Sequence, residues 1–204
     1  MAARVKNRKS QIIAEATRLF SSMGYDKVRV KDLAEACKIT EPALYRHYRS
    51  KEAIYDTVLD SLSVNLGHQE LFDRLEGETD LAIILDSIAE HILTFFNAHR
   101  DPYRLLLYST LGRHKKAGQV YRSIRRPYVK FLTGQLDLLH KQGLIRKKDN
   151  EITARCFVGT VFDWATCTIL WNDFQGRKCS TQELIANNIP IFVAGLLKKP
   201  SDRN

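Results

Sequence analysis

A short helix opening at Thr40 would turn Leu44 and Tyr48 inward, at positions i and i+4, and leave Glu41, Ala43, Tyr45 and Arg46 facing out. The polar groups among these are a carboxylate, a phenol and a guanidinium, which can hydrogen-bond to base edges and phosphates. A helix N-terminus aimed at a groove adds free backbone amides that favour phosphate oxygens. The surroundings are basic. Residues 1–52 hold 12 Lys/Arg against 6 Asp/Glu, a surplus of six; of the chain's 32 and 23 that leaves 20 against 17, a surplus of three, over residues 53–204. A basic block on a foldable segment points to a polyanion, nucleic acid ahead of an anionic membrane. Enzymatic chemistry finds no such foothold. GxSxG, HExxH, P-loop, CxxC and dinucleotide glycine motifs are missing from the sequence. His68, His91, His99, His114 and His140 show no metal-ligand spacing of the HExxH type, so no catalytic set, metal or cofactor is expected.

The elements that must position these groups read as helices throughout. Gln11 to Met23 puts Ile12, Ile13, Ala16, Leu19 and Phe20 on one face, with Gly24 ending the turn. Val30 to Cys37 is a short second helix, and Thr40 caps a third with Pro42 in its first turn. Ser50 caps a fourth running toward Leu66 and beyond Gly67. Further helices are expected over Leu81–Ala98, from an Asp101 cap through Leu111, over Ala117–Gln142 across Pro127, and from Asp149 or Asn150 to Trp171. Ser180 with Glu183 forms a capping box for the last, ending near Leu197. No segment alternates with period two, so the fold class is all-α. The charge shift suggests two domains, 1–52 and 53–204, joined by a helix, since no Gly/Ser/Pro linker marks the boundary.

With 44% apolar and 27% charged residues the composition is that of a globular protein. The longest uncharged apolar stretches, Cys156–Phe162 and Trp164–Asn172, are split by Asp163 and fall short of a membrane span of about 20 residues. The basic N-terminus lacks a secretory h-region. Cys37, Cys156, Cys167 and Cys179 form no CxxC pair and read as reduced thiols of a cytoplasmic protein.

The first fifty residues have the layout of a helix-turn-helix braced by a preceding helix. Leu19-Phe20, Gly24-Tyr25, Asp32 to Ala36, Thr40, Leu44-Tyr45, His47-Tyr48 and Ser50-Lys51-Glu52 follow in order, and residues 12–59 closely resemble the DNA-binding domain of TetR/AcrR-family transcriptional regulators. The resemblance implies that Tyr45, His47 and Lys51 grip phosphates, with Thr40 assisting. It also implies that Glu41, Pro42, Ala43 and Arg46 face bases, Arg46 being the best candidate for guanine. Two departures stand out: Arg29 where the family usually has Ser or Thr, placed instead to reach a phosphate, and Lys38 where it usually has glycine. Arg4, Lys6, Arg8 and Lys9 are expected as an arm before the first helix, for a minor groove or as a disordered tail.

One short recognition helix reads few base pairs, so a homodimer on a near-palindromic duplex operator is expected. The family pairs its last two helices across the dimer. Here Phe157, Val161 and Trp164 share one stripe with Thr168, and Ile185, Ile189, Phe192 and Leu196 form another, with Gly159 allowing close approach. These stripes serve the interface, the chain's own core, or both. The resemblance also implies a small-molecule effector pocket. Candidates are His91, Phe95, Tyr103, Tyr121, Tyr128, Phe162 and Asp163, of which Asp163 and His91 are polar groups within apolar runs. Arg113 to Lys148 carries eleven Lys/Arg and one acid, Asp137; it reads as a solvated face or as a site for an anionic effector. The expected function is a ligand-responsive repressor. An activator, an architectural DNA-binding protein and, more remotely, an all-helical enzyme stand as alternatives.

Overall fold

The computed structural model describes residues 2–62, 67–112, 114–171 and 179–198, with side chains over 8–168 and 179–198. Leu66, Arg113 and the side chains of Arg4, Lys6 and Trp171 lie outside the described residues. Among the described residues the order is α1 (Ala2–Met23), α2 (Val30–Ala36), α3 (Glu41–Tyr45), α4 (Lys51–Ser61), α5 (His68–Arg74), α6 (Leu81–Ala98), α7 (Arg100–Leu111), α8 (Lys115–Lys141), α9 (Asn150–Trp171) and α10 (Thr181–Leu196). One isolated antiparallel bridge, Ile145 to Leu197, is the only β pairing among them. The chain divides into two compact units, Met1–Val64 with His99–Arg122, and Asn65–Ala98 with Ser123–Asn204.

Three expectations change. The basic arm is not separate, because α1 begins at Ala2 and carries residues 4–9 within it. Gly67 takes φ +64, a left-handed conformation that ends the path before His68, so α5 is a helix of its own rather than a continuation of α4. Finally, α7 is capped at His99, placing Asp101 and Pro102 inside its first turn.

In the first unit α1 packs against α2, α4 and α7. Ile12, Ala16, Phe20, Leu33, Leu44, Val58 and Leu106 are among its buried residues. The Tyr55 hydroxyl meets Ser109 Oγ, joining α4 to α7, and Ser21 Oγ donates to the Asp101 carbonyl at 3.1 Å, joining α1 to α7. Lys116 and Asp60 form an ion pair at 2.8 Å on the surface. In the second unit α6 is central, burying Ile84, Leu85, Ile88, Ala89, Ile92, Leu93 and Phe96 against α9, α10 and α5. By length and mean hydropathy, 1.4 over 18 residues, α6 passes as a membrane span; its buried apolar face makes it a core helix here.

Both expected caps at Ser50 and Ser180 are present: Ala53 N donates to Ser50 Oγ at 3.1 Å and Glu183 N to Ser180 Oγ at 3.1 Å. The α2–α3 turn runs through Lys38, whose φ of +54 is the only positive value at a non-glycine residue among those described. A left-handed residue with a side chain costs about 1–2 kcal/mol, and a glycine costs about 0.5–1 kcal/mol in chain entropy. Lys38→Gly is therefore expected to stabilise the protein by about 0.5–1 kcal/mol in urea unfolding. A net loss would show that the lysine side chain contributes more than its backbone strain.

Candidate DNA-binding surface

The left-handed Lys38 closes α2 in a Schellman pattern, with Ile39 N donating to the Ala34 carbonyl at 3.0 Å and Lys38 N to Glu35 at 2.9 Å. This turn delivers Thr40, whose Oγ1 accepts from Ala43 N at 3.3 Å and caps α3. The hydroxyl proton of Thr40 remains available to a phosphate. Leu44 is buried and anchors the short helix, while Thr40, Glu41, Pro42, Tyr45 and Arg46 are exposed, Tyr45 by 48%. Ala43 and His47 are half-buried, and His47 follows the helix, which ends at Tyr45. Arg46 forms no ion pair with Glu41 or Glu52 among the described residues, so its guanidinium is not committed to either.

At the start of α2 the Asp32 carboxylate accepts the Arg29 backbone N–H at 2.7 Å. Asp32 thus satisfies the terminus that Arg29 could not cap from its side chain, and the Arg29 guanidinium stays exposed on that edge. Arg8, expected in a DNA-seeking arm, instead donates to Gln11 Oε1 at 2.7 Å and to the Cys37 carbonyl at 3.4 Å, bracing α1 against the end of α2. Burial pushes the Cys37 thiol up, with Glu15 adding to the rise and Arg8 opposing it. That removes the activated-thiolate role its neighbour Lys38 could suggest.

Lys51 makes intrachain bonds in addition to the phosphate contact expected of it. Its ammonium donates to the carbonyls of Tyr25 at 2.9 Å and Val28 at 3.0 Å, and stands 4.1 Å from the Tyr25 ring centroid. It locks α4 to the loop between α1 and α2. Two of the three ammonium protons are taken, leaving one for a phosphate. No sequence spacing announced this bridge, because its acceptors are backbone carbonyls.

The effector candidates fall in both units. Tyr103, which is buried, and Tyr121 belong to the first; His91, Phe95, Tyr128, Phe162 and Asp163 belong to the second. In the second unit His91 Nδ1 pairs with the Tyr128 hydroxyl at 2.8 Å. His68, which sequence reasoning did not select, packs edge-on to Tyr128 at 4.5 Å between centroids. Burial, and then the nearby His91, lower the pKa of His68 to about 4, against a hydrogen bond to the Ile124 backbone that raises it. Its Nε2 is buried with no hydrogen-bond partner among the described residues. Phe96 and Phe162 meet edge to face at 5.1 Å, and Phe95 leans on Phe96 at 5.2 Å.

Asp163 is exposed, not a buried hook. On a helix its neighbours in sequence point elsewhere, and it continues the outward stripe of Ile152, Cys156 and Thr160. The expected interface residues also lie mostly inside. Phe157, Val161, Trp164, Ile189 and Leu196 are buried within the chain itself, Ile185 and Phe192 are half-buried, and Phe157 packs on Phe192 at 5.1 Å. Gly159 leaves room for a guanidinium: a Cβ there would lie 2.9 Å from Arg125 Nη2. That same nitrogen donates to the Arg155 carbonyl at 3.1 Å, so Arg125 is engaged within the chain, while Arg122 and Arg126 are exposed.

Comparison with known proteins bears on this surface directly. Residues 12–58 match the family described as bacterial regulatory proteins, tetR family. The chain is 20% identical over 162 residues to the uncharacterised HTH-type transcriptional regulator YhgD of Bacillus subtilis, covering 78% of this chain and 84% of that one. It is 28% identical over 97 residues to the tetracycline repressor protein class G of Vibrio anguillarum, covering 48% of this chain and 45% of the repressor, so there it spans less than half of its relative. The fold resembles AibR solved with isovaleryl coenzyme A and operator DNA, at TM-score 0.65, 19% identity, and coverage of 90% and 97%.

Two outcomes are expected. Lys51→Met keeps the stem but removes the bridge, and should cost about 2 kcal/mol in urea unfolding; unchanged stability would mean the ammonium serves DNA alone. His68 is neutral when folded, so stability is lost as pH falls from 6.5 toward about 4. His68→Gln should flatten that part of the melting-temperature profile, and an unaltered profile would remove His68 as its source.

Proposed function

We propose that this chain, which belongs to the TetR/AcrR family of transcriptional regulators, binds a near-palindromic operator as a homodimer and is released from it by a small-molecule effector. Residues 1–52 do the reading, and 53–204 hold the effector and the partner subunit. The observation that carries this is the exposed face of α3, where Tyr45, Arg46 and Glu41 stand out from a helix capped by Thr40 and anchored by Leu44. Arg46 takes a guanine edge, while Tyr45, His47 and the hydroxyl of Thr40 take phosphates, joined by Arg29 and the remaining proton of Lys51. Repression follows from occupancy of the operator, as the name of the tetracycline repressor relative implies for that protein.

The effector site is the His68, His91 and Tyr128 cluster with Phe162 beside it. AibR, a structural neighbour, was solved with both an acyl coenzyme A and operator DNA, which supports pairing the two kinds of ligand here. Because His68 is uncharged at neutral pH, this site recognises its effector through hydrogen bonds to a polar group rather than through histidine charge. The dimer forms through the outer faces of α9 and α10, where Ile152 is 65% and Ile191 64% exposed beside Ala194 and Gly195. No catalytic step is assigned. The setting is the cytoplasm, consistent with four free cysteines.

Selection of bound duplexes from random DNA should return inverted half-sites at one spacing, and no enrichment would overturn the reading. Ile191→Asp should give a monomer in sedimentation and more than tenfold weaker operator binding. A dimer that persists would move the interface off this face.

A further inference from the structure

A cleft of about 520 Å³ opens in the first unit, apart from the effector cluster, and neither DNA reading nor dimerisation uses it. It lies among the end of α1, the loop after it, α4 and α7. Its size is that of a small-molecule site. Phe20, Tyr25, Tyr55 and His114 form a connected aromatic wall, with centroid separations of 5.8, 5.0, 4.5 and 5.2 Å along it. Phe20 and Tyr55 are buried, whereas Tyr108 is 60% and Met23 44% exposed, so a ligand can enter past them.

The charge of this cleft is opposite to that of the chain. The protein has 32 Lys and Arg, yet none of them lines it. Asp26 does line it, and forms no ion pair among the described residues. Asp56, whose charge reaches both Tyr25 and Tyr55, has a buried Oδ1 with no hydrogen-bond partner among the described residues. Both phenols are held above their ordinary range by burial first; Glu52 and then Asp26 and Asp56 add to the rise at Tyr25, and Asp26 and Asp56 at Tyr55, where the bond to Ser109 opposes it. The Tyr25 ring also meets the Lys51 ammonium, 4.1 Å from its centroid, so the place for an occupant's charge is beside Asp26 rather than over that ring. His114, whose Nδ1 is buried without a hydrogen-bond partner among the described residues, also lines the cleft.

We propose that this cleft binds a small organic cation with an aromatic or flat apolar body, the body lying against Tyr25 and Tyr108 and the charge facing Asp26. Rings favour a cation over their faces, and an unpaired carboxylate favours the same charge. An occupant would touch α1, α4 and α7 together, the helices that brace the reading head within this unit. The inference goes beyond the effector reading and does not depend on it.

The test titrates the full chain, without DNA, with benzyltrimethylammonium, benzyl alcohol and benzoate, followed by calorimetry and by amide chemical shifts. The cation should bind about tenfold more tightly than the neutral alcohol, with benzoate weakest and shifts centred on Gly24, Asp26 and Gly112. Asp26→Asn and Tyr108→Ala alter exposed side chains, so folding is preserved; each should weaken the cation by about three- to fivefold. Equal binding of all three probes, an unaffected Asp26→Asn variant, or shifts confined to the second unit would overturn the proposal. Failure to bind an operator would leave this result unchanged, so the two readings fail separately.

Discussion

A helix of five residues cannot hold itself together in water, because the cost of its first turn is never recovered by propagation. That constraint governs the first unit. The position of α3 is imposed by what flanks it: the left-handed turn at Lys38, the Thr40 cap and the burial of Leu44. Remove any of these and the exposed Tyr45 and Arg46 lose a defined direction, even though neither takes part in the packing. The reading face is therefore free to vary chemically while its support is not.

The same logic explains why Arg8 and Lys51 look inward. Arg8 holds the end of α2 and Lys51 holds the loop before it, each by donating to backbone carbonyls: Cys37 at the end of α2, and Tyr25 and Val28 in the α1–α2 connection. A charged donor to a carbonyl is worth more than an exposed ion pair of the kind seen at Lys31 and Glu35. The surplus positive charge near the N-terminus is thus divided between assembling the head and meeting a polyanion. Tyr25 links the two uses, since it holds the Lys51 ammonium on its ring and lines the neighbouring cleft.

In the second unit the balance is set by burial. His68 and His91 both sit where a charged imidazole is penalised, and the Tyr128 hydroxyl pairs with one of them. A polar cluster kept neutral inside aromatic walls offers hydrogen bonds without the solvation cost of a fixed charge. Arg125 is the exception that the packing accommodates. It enters over Gly159, donates to the Arg155 carbonyl and lies 5.8 Å from the Phe162 centroid, so its charge is balanced by a carbonyl and a ring face.

The helical class, most helix starts and the exposure of Glu41, Tyr45 and Arg46 on and just after α3 were readable from local pattern, because caps and apolar periodicity act over a few neighbouring residues. Thr40, Ser50 and Ser180 work as caps wherever their helices end up. Phe157 and Val161 were legible as part of one stripe and Ile189 as part of another, but that they are buried in the chain's own core emerges only from how the helices pack. Periodicity marks which face is buried and not what buries it. Asp163, Lys51 and His68 were settled the same way: the exposure of Asp163, the carbonyl partners of Lys51 and the neutrality of His68 depend on atoms far apart in sequence. Contacts of that range are set by how helices assemble, and a linear pattern carries no measure of distance between them.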